Sequence, residues 1–497
     1  PETVSWTPEI IKKMTENSLK SKVVQGLFWK VLEQGGSQGI QFIVALVLAR
    51  LMTPEEYGTI SLITIFITIA NTLVQSGFAT ALVQGKEVED EDYSSVFWIS
   101  MLLSVVLYIA LFLGAPWIAA YFRTPVLEAL VRVMGVVLFP GAVVSIQTAF
   151  VSRNLRFRQL FQSTMVAVVI SGVVSIALAM QGFGVWAMAA QQIVYYFALM
   201  LVLFVTIRWY PRILLRTERL RKLFSFGWKI LVSGLLDTLW QNIYGLIIGR
   251  KYTSADLGAY NRGEQFPKII STNLATAIQS VLLPAYSKKQ DDPDALQRMA
   301  RRSIRLSAFV LFPMMAGLAA VAEPLVTLLL TEKWLVAVPY LVLLAVSYAT
   351  YPIHIINLQV MNAMGRSDLF LKLEIIKKAL GIVILVLSLP LGIWPMLLFK
   401  VVDEYLCTFI NAWPNRTLIG YGPLRQWADV LPSAIISAIM GFGVYLLHRL
   451  PLGVLPMLLV QMLAGVIVYL LLSLLFNREP LQYIYGLAAG RTPGSER

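Results

Sequence analysis

Blocks of apolar residues long enough to cross a bilayer recur fourteen times along this chain, and nothing else in it restricts the fold as strongly. A helix needs about 20 predominantly apolar residues to span the hydrocarbon layer, where every backbone polar group must be satisfied internally. The blocks run roughly over 23–49, 58–82, 94–118, 126–151, 160–180, 184–207, 223–249, 258–283, 303–331, 336–364, 370–391, 393–414, 429–448 and 453–476. All connections are short. Even the longest, around 208–222 and 285–302, leave no room for a soluble domain. The expected fold is an all-α polytopic membrane protein of about fourteen transmembrane helices. Residues 1–13 carry no apolar stretch, and Met14 opens a polar TENSLKSK run, so they read as an appended preamble outside the fold, with no cleavable signal peptide ahead of the first span.

Charge is scarce, at 14% of residues, and its placement sets an orientation. With the N-terminus inside, 26 cations fall on inside segments, among them six between Arg208 and Lys222 and six between Lys288 and Arg305. The outside loops hold six: Arg50, Arg123, Arg250, Lys251, Lys333 and Arg449. The positive-inside rule then places both termini in the cytoplasm. The net charge of +13 might point to nucleic acid as a partner, but cations dispersed over short loops exclude that reading. The lone Cys407 allows neither a disulfide nor a cysteine metal site, and His354 and His448 are solitary. No glycine-rich phosphate loop is present, so ATP hydrolysis is not expected. Outside connections of about ten residues or fewer offer no acceptor loop of the kind that glycan polymerases and ligases use. No cofactor, metal or catalytic residue is expected, and the chain reads as a transporter rather than an enzyme.

Laid over itself at an offset near 200, the chain repeats. Trp29-Lys30, Gln41, Arg50, Thr53 and Gly58 match Trp228-Lys229, Gln241, Arg250, Thr253 and Gly258. Gln75-Ser76 with Ala81 recurs as Gln279-Ser280 with Ala285, and Pro140 with Gln147 as Pro352 with Gln359. An ordered series of matches marks a duplication. Each copy holds six spans, which gives parallel repeats about an axis along the membrane normal and a central cavity. The expected boundaries are a cytoplasmic tail over 1–22, a first lobe over 23–222, a second over 223–417, two further spans in 418–480, and a tail over 481–497.

Nine cations fall within spans, where a charge at mid-bilayer costs about 2.5–3.5 kcal/mol and must face protein or water. Arg132 follows Glu128 by one turn, and Lys372, Lys377 and Lys378 lie beside Glu374, so local pairing or snorkelling accounts for them. Lys400 has Asp403 and Glu404 within a turn, and reads equally as an ion pair or as a ligand. The first span carries Lys30, Gln34, Ser37 and Gln41 on one helix face, and its repeat partner carries Lys229, Ser233, Asp237, Gln241 and Tyr244. The second carries Ser61, Thr64, Thr68, Asn71 and Gln75, and its partner Asn261, Gln265, Lys268, Thr272, Thr276 and Gln279, with Arg262 and Glu264 beside them. Hydrogen bonding between packed helices explains the hydroxyls and amides; the lysines and the arginine favour a water-filled cavity. Lys30 can be neutralised by Glu33 and Lys229 by Asp237, whereas Arg262 and Lys268 have only Glu264 near. The second copy thus carries the surplus positive charge, suited to phosphate, while Gln, Asn and aromatic side chains suit sugars.

The runs LVLARLMTPEEYGTISL with Arg50 and Gly58, SGFATALVQGKE from Ser76, YSSVFW from Tyr93, SRNLRF from Ser152 and GFGVWA from Gly182 resemble the Wzx-type polysaccharide transporters. The likeness is to the branch exporting colanic- or teichuronic-acid-type repeat units. It covers almost the whole chain after Lys20, and its motifs are more specific in the first half. The superfamily also contains multidrug exporters and lipid II flippases. The resemblance implies fourteen helices in two lobes around a V-shaped cavity that alternates its access. It also implies an undecaprenyl-pyrophosphate-linked oligosaccharide as cargo, moved from the cytoplasmic to the outer leaflet. Lipid II flippases line their cavity with arginines on the first, second and eighth helices. Lys30 and Arg262 are similar in kind on the first and eighth here, while the second carries no cation, only hydroxyls and Asn71. Lys30, Arg262 and Lys268 would then engage the pyrophosphate. Gln34, Gln41, Asn71, Lys229, Gln241, Gln265 and Lys400 would complete the substrate surface, and Asp237 and Glu264 would titrate in any proton coupling. The partners implied are the lipid-linked oligosaccharide, membrane lipids and glycan polymerase or assembly proteins. An exporter of small molecules and a non-transporting scaffold of a glycan-assembly complex are the alternatives.

Overall fold

A computed structural model describes residues 8–84, 88–214 and 216–488. Residues 1–7 of the preamble, Lys86 and the final segment with Arg491 and Arg497 lie outside the described residues. By packing, the chain divides into two compact units, Pro1–Gly258 and Ala259–Arg497. The first contains α1 (Pro8–Leu51), α2 (Pro54–Gln84), α3 (Asp90–Phe122), α4 (Val126–Met134), α5 (Leu138–Arg153), α6 (Phe157–Met180), α7 (Val185–Ile207), α8 (Thr217–Lys251) and the start of α9 (Ser254–Ser287). The second continues α9 and adds α10 (Pro293–Ala320), α11 (Ala322–Leu330), α12 (Val338–Tyr348), α13 (Tyr351–Ala363), α14 (Ser367–Ser388), α15 (Ile393–Ala412), α16 (Asn415–Leu418), α17 (Pro423–Leu446), α18 (Val454–Phe476) and α19 (Arg478–Ala488). No strand occurs among the described residues.

Twelve segments among the described residues are long and apolar enough to cross a membrane. The expected spans over 370–391 and 393–414 correspond to α14 and α15, which fall outside this set. Both are long enough, but α14 carries Lys372, Glu374, Lys377 and Lys378, and α15 carries Lys400, Asp403 and Glu404. The stretch read as an N-terminal tail is helical from Pro8 onward, continuous with the first span. Past the last span, α19 is a short helix of its own.

Local sequence chemistry starts these helices. Asp292 accepts from the Ala295 amide at 2.9 Å, with Pro293 at the first helical position of α10. Ahead of α2, Glu56 Oε2 accepts from the Thr53 amide at 2.7 Å while Thr53 Oγ1 accepts from the Glu56 amide at 3.3 Å. Ahead of α9, Thr253 and Asp256 make the same reciprocal pair at 3.1 and 3.1 Å. The loop before α14 is clasped by two 2.9 Å hydrogen bonds from Arg366 to Asp368, which hold that exposed carboxyl down at about 2.

In the first unit α2 is the hub, packed on α5, α8 and α3, while α6 packs on both α1 and α7. Its core includes Tyr93, Phe97, Val143, Ile146, Leu203 and Trp209. In the second unit α10 is central, against α17, α12 and α13. Phe309, Ile436, Met440, Leu458 and Tyr469 form a core there, and the Tyr469 hydroxyl donates to the Phe309 carbonyl at 2.7 Å.

A buried amide cluster ties α13, α16 and α17. Asn357 and Gln426 exchange two hydrogen bonds of 2.8 Å, and Asn415 donates to Asn357 Oδ1 at 2.6 Å. All three side chains are at most 1% exposed. Asn357→Leu removes the donor to Gln426 Oε1 and the Oδ1 acceptor that Gln426 and Asn415 share, at about 1–3 kcal/mol for each buried group left unpaired. The expected result is a fall of several degrees in the thermal unfolding midpoint of the purified protein. An unchanged midpoint would show that the cluster is slack.

Candidate functional site

Three spans stand apart in how poorly they are covered for how polar they are. The spans in α1, α8 and α9 share the lowest mean hydropathy, 1.2, and only 17, 11 and 17% of their apolar stretches is buried. The spans in α7, α3 and α18 are similarly bare, at 17, 22 and 28%, but their mean hydropathy is 1.9, 2.6 and 2.5. Bare and strongly apolar suits lipid. Bare and weakly apolar does not, because uncovered Lys, Gln and Asp side chains need water. The faces of α1, α8 and α9 are therefore polar surfaces that suit water rather than lipid.

On α1, the Lys30 ammonium donates to Glu33 Oε2 at 2.7 Å and keeps about a third of its side chain exposed, at 36%. The pairing expected from the spacing is present. Gln34 and Gln41 are exposed further along, and Ser37, buried between them, donates to the Gln34 carbonyl at 3.2 Å. At the adjoining end, Arg158 stands 5.6 Å over the Trp29 ring. On α8, Lys229, Asp237 and Gln241 are all exposed. Thr238, between them in sequence, meets Thr72 of α2 hydroxyl to hydroxyl at 3.2 Å.

The polar stripe of α2 largely turns inward. Thr64 Oγ1 accepts from Gln192 of α7 at 3.0 Å. Asn71 is 8% exposed, accepts from Gln75 at 3.2 Å, and fits against Gly141 of α5, where a methyl group would come within 2.7 Å of its oxygen. These groups do helix–helix work, the alternative that hydroxyls and amides always leave open.

The second unit separates its two prominent cations. Arg262 is 6% exposed, donates to Gln265 Oε1 at 2.5 Å, and lies 5.7 Å over the ring of the fully buried Trp334. It is therefore occupied within the unit. Lys268, six residues on, keeps 45% of its side chain exposed with Glu264 3.9 Å away. Glu264 Oε1 accepts hydroxyl hydrogen bonds from Tyr260 at 3.1 Å and Tyr348 at 3.2 Å, and Lys400 stands 5.8 Å over the Tyr348 ring. Glu264, Lys268, Tyr348 and Lys400 thus form one cluster from α9, α12 and α15. Tyr348 lies 84 residues from Glu264, so no spacing rule could have paired them.

A second polar group comes from α13, α14 and α15. Glu404 faces His354 at 3.9 Å, the His354 ring bonds Asn411 at 3.0 Å, and Lys377 pairs with Glu374 at 2.5 Å. Arg132 pairs with Glu128 at 2.9 Å, as the one-turn spacing suggests. Among the described residues no group of three or more His, Cys, Asp or Glu is placed to hold a metal ion.

Residues 47–339 match the family model described as polysaccharide biosynthesis protein, which is more than half of the chain. The succinoglycan biosynthesis transport protein ExoT of Rhizobium meliloti (strain 1021) is 27% identical over 334 residues, 67% of this chain and 68% of that protein. The teichuronic acid biosynthesis protein TuaB of Bacillus subtilis (strain 168) is 25% identical over 355 residues, 71% of this chain and 73% of that one. Among solved structures, the lipid II flippase MurJ in an inward closed conformation superposes with a TM-score of 0.74 at 14% identity, covering 94% of this chain and 100% of that one. At that identity the likeness is one of fold. The fold is thus that of the lipid II flippase MurJ, and the chain belongs to the polysaccharide biosynthesis protein family.

Proposed function

We propose that the chain is a flippase that moves undecaprenyl-pyrophosphate-linked oligosaccharide repeat units from the cytoplasmic to the outer leaflet of a bacterial inner membrane, by alternating access. The observation that carries this reading is that the three least apolar spans, in α1, α8 and α9, are all left largely uncovered. A lipid-linked sugar needs such a surface, because its head must travel in water while its tail stays in hydrocarbon. Family membership and the names of the two transport and biosynthesis relatives support it. The organisation is read as parallel repeats over 23–222 and 223–417 with two further spans, and with both termini cytoplasmic.

Lys229 and Lys268, both exposed, and the half-buried Lys30 are the cations offered to the pyrophosphate, with Lys400 joining through Tyr348. Gln34, Gln41 and Gln241 offer amides to sugar hydroxyls. Asn71, Arg262 and Gln265 hold helices in place and act on cargo indirectly. Asp237 and Glu264 are the carboxylates through which proton coupling would act. Glycan polymerase and assembly proteins are the partners this role calls for.

Deleting the gene in its own bacterium tests the reading. Lipid-linked repeat units should accumulate with their sugars on the cytoplasmic side while surface glycan falls, and the wild-type gene should reverse both. Unchanged lipid-linked pools together with new sensitivity to small toxic compounds would point to a drug exporter instead.

A further inference from the structure

A second cationic site lies away from the polar faces, where α10 meets α19. Arg298, Arg301, Arg302 and Arg305 recur at three- and four-residue intervals and so share one face of α10. Together with Glu479 they line a cavity of about 440 Å³, within the size range of small-ligand sites. Two of the four are engaged with carboxylates. Arg301 makes two 2.8 Å hydrogen bonds to Asp429, which also accepts from the Tyr421 hydroxyl at 2.9 Å. Arg305 donates to Glu479 at 2.6 Å. Arg302 instead lies 4.3 Å over the Tyr483 ring, and Arg298 makes no ion pair among the described residues. Four guanidiniums around two carboxylates leave the cavity positive, and planar fork-shaped donors match phosphate oxygens.

The setting names the carrier of that phosphate. Helix α19 begins two residues past the end of α18, packs on α18 and α10, and anchors Leu481 in the core of the unit. It leaves Tyr485 and Ile484 exposed, at 73 and 36%. A short amphipathic helix with exposed tyrosine directly after a span belongs at the membrane interface, among headgroups. Loops on that side carry the bulk of the chain's cations.

We infer that the Arg298–Arg302–Arg305 cavity binds the phosphate of an anionic phospholipid headgroup, as a site independent of the transported cargo. Tyr483 packs against the Arg302 guanidinium, and Asp429 holds that of Arg301 beside it. Neither contact involves the polar faces of α1, α8 or α9.

The full-length protein, purified in detergent and titrated with phosphatidylglycerol or phosphatidylcholine, tests this by native mass spectrometry. Phosphatidylglycerol should be retained and phosphatidylcholine not. The Arg298→Gln/Arg302→Gln variant should bind phosphatidylglycerol roughly thirtyfold more weakly, from two lost interfacial charges. Arg298→Lys/Arg302→Lys should keep most of the affinity, and Glu479→Gln, which frees Arg305, should tighten binding. Equal retention of both lipids, or an unaltered affinity in the double Gln variant, would overturn the proposal. So would displacement of phosphatidylglycerol by inorganic phosphate at similar concentration, which would assign the cavity to a free anion. Should the double Gln variant not fold, weaker binding in Glu479→Gln would overturn it alone, because the sign is opposite.

Discussion

Alanine at position 58 or at position 258 is expected to abolish function and strip several degrees from the unfolding midpoint. A β-carbon on Gly58 would stand 1.6 Å from the carbonyl oxygen of Ser254, and one on Gly258 would stand 1.9 Å from that of Pro54. Both obstacles are backbone, so no side chain can swing aside. The first turns of α2 and α9 would have to part, against the two Thr–carboxylate boxes that hold those turns in place. Overpacking a well-filled contact costs about 1–3 kcal/mol, and backbone collisions lie at the upper end. Because either methyl forces the same separation, the double variant should lose much less than the summed losses of the two single variants. Thermal unfolding of the three purified variants, paired with surface glycan in cells, reads this out. Wild-type midpoints in both single variants would mean that the two turns do not meet.

Neutralising Lys30, Lys229 and Lys268 together to Gln is expected to stop transport while leaving the folded protein at normal levels. Each ammonium that meets a phosphate oxygen contributes about 1.5–3 kcal/mol, so losing three weakens cargo binding by at least about a thousandfold. Lys268 should weigh more than Lys30, because Glu33 sits 2.7 Å from the Lys30 ammonium while Glu264 is 3.9 Å from that of Lys268. Arg262→Ala should behave differently: loss of its contacts to Gln265 and Trp334 lowers stability first. Accumulated lipid-linked intermediates, quantified beside membrane protein levels, separate the two classes. Full transport by the triple Gln variant would remove these lysines from the site.

Much of the architecture can be read from residue order, because apolar run length and flanking charge are one-dimensional signals. So can the matching pairs Thr53 with Gly58 and Thr253 with Gly258, although their meaning cannot. That two glycines 200 residues apart let backbones touch depends on which helices cross. Side-chain facing is equally hidden. The stripe of α2 and that of α1 look alike on a helical wheel, yet Asn71 is packed against Gly141 while Gln34 and Gln41 are exposed. Arg262 and Lys268 lie less than two turns apart, yet the first is buried, with its guanidinium over Trp334, more than 70 residues further on. Tyr348, which joins Glu264 to Lys400, gives no signal at all in a single sequence.

Purified protein in vesicles that hold undecaprenyl-pyrophosphate-linked oligosaccharide in both leaflets gives the most direct measurement of transport. A glycosidase added outside reaches only the outward-facing sugars when the membrane holds no flippase. With the wild-type protein, digestion should proceed to nearly all of the lipid-linked sugar, and the Lys30/Lys229/Lys268 triple Gln variant should return it to the protein-free level. Digestion that halts at the protein-free level with correctly inserted wild-type protein would contradict a flippase role.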